Sequence, residues 1–73
     1  MALSAVVVAN SVLAAIRFAE GNGWRSGEWM YACRPEMVKG LDEFDLYVLG
    51  EPSRDLASTI REATRRARSV TWR

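Results

Sequence analysis

The chain of 73 residues contains no histidine and only one cysteine. The absence of histidine removes the commonest acid–base catalyst and the commonest metal ligand of proteins together. The single cysteine, Cys33, excludes an intramolecular disulfide, so a reducing, cytoplasmic location is expected. We therefore expect a protein that is not an enzyme and that has no catalytic, cofactor-binding or metal-binding residues.

A hydrophobic run long enough to cross a membrane is also missing. Residues 2–15 are mostly apolar, but no basic residue precedes them, and Arg17 ends the run short of the roughly 20 residues that a span needs. This argues against a signal peptide or a membrane anchor, and against a membrane partner. The length and the globular composition predict a single domain over residues 1–73.

The small net charge of +1 hides an uneven distribution of charge along the chain. Residues 1–52 carry four basic and seven acidic side chains, a balance of −3, whereas residues 53–73 carry six arginines and two acidic residues, a balance of +4. A basic end of this kind can bind an acidic partner.

Periodicity predicts four elements in the order α–β–β–α. The first is a helix over residues 5–20, capped by Ser4 and apolar on most of its sides. The alternation in residues 28–34 and 43–49 predicts two strands, and the second strand should point Phe44, Leu46 and Val48 inward. The short connection between the strands favours an antiparallel hairpin.

A last helix is predicted from Ser53, as its N-cap, to about residue 70. Its apolar stripe consists of residues spaced by three and four positions: Leu56, Ile60, Ala63, Ala67 and Val70. The predicted fold is thus a small α+β domain, an antiparallel two-stranded hairpin packed against two helices. Two helices cover one face of such a hairpin, so we expect association, as a homodimer that extends the sheet or with another protein.

Four arginines lie opposite this apolar stripe on the helical wheel, and Trp72 follows in the same sector. We call this set the arginine rail: Arg54, Arg61, Arg65, Arg68 and Trp72. The rail is a candidate surface for carboxylates or phosphates. The alternative is a solvated face whose arginines pair internally, with Glu62 best placed for Arg66 and Asp45 available to the rail.

The loop of residues 21–27 offers a second candidate contact, formed by Trp24 and Arg25. Tryptophan and arginine dominate protein-binding hot spots, but Trp24 could equally pack within its loop. The glycines of this loop follow a helix and precede a strand. This is the reverse of a phosphate-binding loop, so they are expected only to turn the chain.

A cysteine nucleophile and a metal site are two further possibilities, and each has a simpler structural explanation. Cys33 has no histidine to act as its base and is expected to pack in the core. An acidic group at Asp42, Glu43 and Asp45, with Glu51 further on, could hold Mg²⁺ in a minimal metal enzyme. Such acidic residues more often protect a strand edge from aggregation.

The sequence favours an interaction protein that binds and inhibits or modulates a protein partner with an acidic surface. Small arginine-rich proteins are common among accessory factors of phages and mobile elements, so a steric inhibitor of a host protein is the concrete expectation. The alternative is a nucleic-acid-binding regulator that uses the arginine rail on phosphates.

Overall fold

A computed structural model describes residues 3–73 as one four-stranded sheet with two helices. The strands are β1 (Ala5–Val8), β2 (Trp29–Tyr31), β3 (Asp45–Val48) and β4 (Ser69–Trp72), and the helices are α1 (Val12–Gly21) and α2 (Ala57–Arg66). Single 3₁₀ turns occupy Pro35–Met37 and Arg54–Leu56. The strand order is β2-β1-β3-β4, and all neighbouring strands are parallel.

The predicted antiparallel hairpin is therefore wrong. The two strands expected to pair with each other are β2 and β3, and β1 lies between them and pairs in parallel with both. The chain was expected to have no strand before residue 28, so this central strand was missed. Without it, the only partner for β2 along the chain was β3, and a short connection between neighbouring strands implies a hairpin.

β1 was assigned to the first helix because its four residues are all apolar and show no alternation. Ala5, Val6, Val7 and Val8 are 0–2% exposed, since helices or connections cover both faces of the sheet. A central parallel strand has this continuous apolar pattern. Three consecutive valines also favour a strand, because branching at Cβ restricts their rotamers in a helix.

The first helix starts seven residues later than the sequence predicts, at Val12 instead of Ala5. Its N-cap is Ser11, whose hydroxyl accepts a hydrogen bond of 3.2 Å from the Ala14 amide. Ser4 caps no helix, and its hydroxyl donates to the Glu28 carbonyl beside β2. The chain thus turns from strand to helix within three residues.

The last helix is shorter than predicted. Ser53 precedes the 3₁₀ turn but makes no side-chain capping bond, and α2 ends at Arg66 because Ala67 is extended. Residues 69–72 then join the sheet as β4. Of the predicted apolar stripe, the members from Leu56 to Ala67 belong to or pack against the core cluster, whereas Val70 lies on β4 and is 37% exposed.

The sheet has one helix on each face. Successive strand residues point to opposite faces, and the Val6–Val8–Leu46–Val48 face forms the main core with Leu56 and Ala63 beside α2. The other face carries Tyr47, whose ring lies 5.3 Å from that of Phe18 in α1. Phe44, Leu46 and Val48 are fully buried, which confirms their predicted inward direction.

The connection from β2 to β3 crosses β1 on the side of α2. Its 3₁₀ turn, Pro35–Met37, packs against α2, and Val38 is fully buried in the core. The connection from β1 to β2, by contrast, contains α1 and covers the opposite face. None of the helices within residues 3–73 has the length and apolar character needed to cross a membrane.

Candidate functional site

A crevice lies between the carboxyl ends of β1 and β3, where successive connections leave the sheet toward opposite faces. In open parallel sheets, ligands bind where successive connections leave toward opposite faces. Here the Asn10 side chain bridges that point. Its Nδ2 donates to the Glu51 carbonyl at 2.8 Å, and its Oδ1 accepts from the Ser53 amide at 2.8 Å. The crevice is therefore closed by the protein's own hydrogen bonds.

An open groove of about 360 Å³ lies between the start of α2 and β4. We call it the Arg54–Trp72 groove. It combines two arginines, a large aromatic side chain and an apolar lining: Pro52, Ser53, Arg54, Ala57, Ile60, Arg61 and Trp72. Trp72 is 59% exposed, the highest value among the large hydrophobic residues of the described chain. An exposed indole beside two cations has the chemistry to accept an acidic ligand that also carries an apolar group.

Trp72 reaches this groove from a strand and not from the helix on which it was predicted. β4 pairs with β3 so that Trp72 lies beside Val48. Because neighbouring residues in register share a face, the Trp72 side chain lies on the α2 side of the sheet. The groove places Trp72 near Arg54 and Arg61, although the helix that was predicted to carry Trp72 ends at Arg66.

The arginine rail is not continuous, because two of its members pair with acidic side chains. Arg68 donates to both carboxylate oxygens of Asp45, at 3.3 and 3.4 Å. Arg65 lies 3.7 Å from Glu62, and Glu62 also accepts a 2.7 Å hydrogen bond from Arg66. Arg66 thus pairs with Glu62, and Asp45 pairs with one rail arginine, Arg68, as the alternative of internal pairing allows.

Arg54 and Arg61 differ from these paired arginines. Both are exposed, and neither forms an ion pair with any residue that the structure describes. They are also the two rail arginines that line the Arg54–Trp72 groove. The groove therefore gathers the two rail arginines that form no ion pair within residues 3–73.

Two carboxyl groups have lowered pKa values because they accept side-chain hydrogen bonds. The Ser69 hydroxyl donates to Asp45 at 2.8 Å, and this bond, followed by that from Arg68, lowers the pKa of Asp45. The hydrogen bond from Arg66 likewise lowers the pKa of Glu62. Asp45 thereby joins β3 to the start of β4, and its charge is used for structure.

The second candidate contact lies on the opposite face of the sheet. The Trp24 ring packs 5.5 Å from Phe18 and 5.1 Å from Tyr47, so Trp24 belongs to the layer of α1 and is half-buried. Arg25 is exposed, and its backbone amide donates to the Glu28 carboxylate at 2.6 Å. The sheet separates this pair from the Arg54–Trp72 groove, so the predicted site residues form two separate groups.

Exposed apolar side chains remain on α1, as the sequence predicts for its first helix. Val12 and Leu13 are just over half exposed, and Ile16 is 39% exposed. Ile16 also lines a groove of about 320 Å³ that contains Trp24, Trp29 and Tyr31. Association as a homodimer stays a prediction.

Cys33 and the acidic residues of 42–51 were considered for catalysis and metal binding. Cys33 packs against the core cluster, with its sulfur 3.9 Å from the Met37 sulfur. Within residues 3–73, no group of three or more potential ligands comes together to hold a metal ion. Burial raises the pKa of the Tyr31 phenol, with a smaller effect from Cys33, and its hydroxyl donates to the Ala9 carbonyl.

Comparison with known proteins finds no matching family model, no similar curated protein and no similar solved structure.

Proposed function

We propose that this protein is a non-enzymatic binding module that inhibits or modulates a protein partner by holding an acidic segment of that partner in the Arg54–Trp72 groove. The observation that carries the proposal is the placement of Arg54 and Arg61, which form no ion pair with the residues that the structure describes, beside the exposed indole of Trp72.

The chemistry of the groove matches such a segment. A guanidinium group binds a carboxylate through two parallel hydrogen bonds, and Arg54 and Arg61 can each provide one such contact. Ile60 and Trp72 add apolar surface to the same groove, and an aliphatic or aromatic side chain of the segment can be buried on this surface. Binding of this kind needs no catalytic group, and it blocks whatever surface of the partner contains the segment.

A nucleic acid is the second candidate, and the exposed Trp72 ring favours it because a base can stack on an indole. Binding to a nucleic-acid backbone, however, grows with the number of phosphates that are neutralised. The rail was expected to provide four arginines for this purpose, but Arg65 and Arg68 lie beside Glu62 and Asp45. Two arginines fit a short acidic segment better than an extended phosphate backbone.

The test is fluorescence anisotropy with four labelled probes. Two are acidic peptides, one alternating glutamate with valine and one carrying glutamate around leucines at helical spacing; the others are a single-stranded and a duplex nucleic acid. Each probe is titrated with the protein at about 50 and about 200 mM salt, the range in which phosphate contacts weaken steeply. We expect at least one acidic peptide to bind more tightly than either nucleic acid.

The matched variants are Arg61→Glu, which reverses a charge in the groove, and Arg17→Glu, which makes the same change on exposed α1. We expect about a tenfold or larger loss of peptide affinity in Arg61→Glu, since truncating a well-placed charged contact commonly costs more than 1.4 kcal/mol. Arg17→Glu should bind as the wild type does. Binding of nucleic acid that depends on Arg61 would favour the second candidate, and failure of every probe would overturn the proposal.

A further inference from the structure

The outer edge of the sheet at β4 adjoins the Arg54–Trp72 groove. β4 is the last strand in the order and pairs only with β3 among the residues that the structure describes. Three of its four residues are exposed. An edge strand presents backbone donors and acceptors that can pair with another extended chain.

The same strand carries the aromatic side chain of the groove. Val70 and Trp72 share the face of the sheet that α2 covers, and they are 37% and 59% exposed. A strand added beside β4 would lie about 4.8 Å away, with every second side chain on that face. Those side chains would lie next to Trp72, on the side of the sheet from which Arg61 lines the groove.

From this geometry we infer that the acidic segment binds as a fifth strand along the outer edge of β4, with alternate side chains directed into the Arg54–Trp72 groove. This inference rests on the proposed function and adds the conformation of the bound segment. Backbone hydrogen bonds to β4 supply affinity, and the arginines select acidic side chains at the positions that face α2.

Charge distinguishes an acidic strand from a second copy of this chain. A second copy of β4 would bring no carboxylate to the groove, because Ser69–Trp72 contains no acidic residue and is flanked by Arg68 and Arg73. It would instead gather the arginines of both copies along one edge, where Asp45 offsets only Arg68. An incoming strand with glutamate or aspartate at the positions that face α2 would be attracted by Arg54 and Arg61.

The inference is tested by nuclear magnetic resonance on the isotope-labelled full chain, with the peptide that alternates glutamate and valine as the probe. Two derivatives carry N-methyl groups on alternate residues, one on the odd-numbered and one on the even-numbered positions. Backbone amides of alternate residues in a strand point to opposite edges. Only one derivative therefore loses the donors that face β4, and the two derivatives have the same side chains and the same number of methyl groups.

We expect the unmodified peptide to shift the amide signals of residues 69–72 and to slow the hydrogen exchange of those amides that point to the outer edge. One methylated derivative should bind at least tenfold more weakly, while the other should keep the affinity of the parent. A version with lysine in place of glutamate should not bind.

Two outcomes would overturn strand addition without overturning the proposed function. In the first, both methylated derivatives bind as tightly as the parent while Arg61→Glu still abolishes binding, so the groove would recognise side chains alone. In the second, the helix-prone acidic peptide binds and the extended peptide does not. Failure of both acidic peptides would instead remove the proposed function together with this inference.

Discussion

Thr59 of α2 has a side-chain oxygen that is fully buried and has no hydrogen-bond partner among the described residues. A buried polar group without a partner costs about 1–3 kcal/mol of folding free energy, whereas an apolar group of the same shape does not incur this cost. Thr59 lies on the buried side of α2, together with Ala63 one turn further along the helix.

Replacing this hydroxyl by a methyl group should stabilise the fold. We expect Thr59→Val to raise the free energy of unfolding by about 1 kcal/mol, measured by urea denaturation. Thr64→Val makes the same change at an exposed position of the same helix and should alter the free energy by less than about 0.5 kcal/mol. A destabilised Thr59→Val variant would show that the hydroxyl has a partner in solution.

The arginines show how far individual side chains could be assigned from the sequence. Arg66 was correctly paired with Glu62, because residues four apart on a helix face each other. The contact of Asp45 with the rail was only one of the alternatives, and the strand register that brings Arg68 and Ser69 beside Asp45 makes it definite. Nothing local to Arg54 or Arg61 shows that these two residues have no internal partner.

At the scale of elements, the two helix entrances look alike in sequence but differ in structure. Each has a serine just before its first turn, yet only Ser11 caps, through its hydroxyl to the Ala14 amide. The Ser53 backbone amide instead donates to Oδ1 of Asn10, and the Ser53 side chain makes no capping bond.

These two serines form a matched pair for mutation. We expect Ser11→Ala to lower the free energy of unfolding by about 1 kcal/mol, the usual effect of losing an N-cap. Ser53→Ala should change it by less than about 0.5 kcal/mol, because the Asn10 bond is to the backbone and remains. Thermal denaturation followed by circular dichroism measures both variants. Equal losses would contradict the difference in capping.

The strand elements were predicted unevenly for a physical reason. Half-buried and buried side chains alternate along β3, and this period of two is visible in the sequence. β1 is buried on both faces, so its pattern has no period and is compatible with a buried helix. β4 follows α2 after only two residues, and the spacing of Ala63, Ala67 and Val70 continued the helical pattern through it.

At the scale of the whole molecule, Asp45 links two parallel strands that are far apart in the chain. The folded-state pKa of Asp45 lies below its ordinary value of 3.8. A carboxyl group with a lowered pKa stabilises the fold above its ordinary pKa, and this contribution is lost as the pH falls through the folded-state pKa. The stability of the domain should therefore decline below about pH 4.

The variant Asp45→Asn isolates this effect. At pH 7 we expect it to be less stable than the wild type by about 1 kcal/mol, through weaker bonds to Arg68 and Ser69. The difference should shrink as the pH falls below about 4, because Asp45 then binds a proton first in the unfolded chain and, at lower pH, in the folded protein as well. Asp42→Asn, at an exposed position, serves as the control in denaturant titrations. A difference that is independent of pH would contradict the role of the charge.

The sequence alone determined the local features of this protein. A mixture of helices and strands, the inward side chains of β3, most of the apolar stripe of α2 and the Glu62–Arg66 pair depend on neighbours within about four positions in the chain. The basic character of residues 53–73 follows from composition in the same way.

Only the tertiary structure decided the parallel pairing and the identity of the groove. β1 and β3 are about forty residues apart in the chain, and parallel strands can be joined only through connections that cross the sheet. No local pattern specifies which strand enters between two others. That same placement brings Asp45 against Arg68, leaves Arg54 and Arg61 without ion pairs among residues 3–73, and sets Trp72 beside them at the sheet edge.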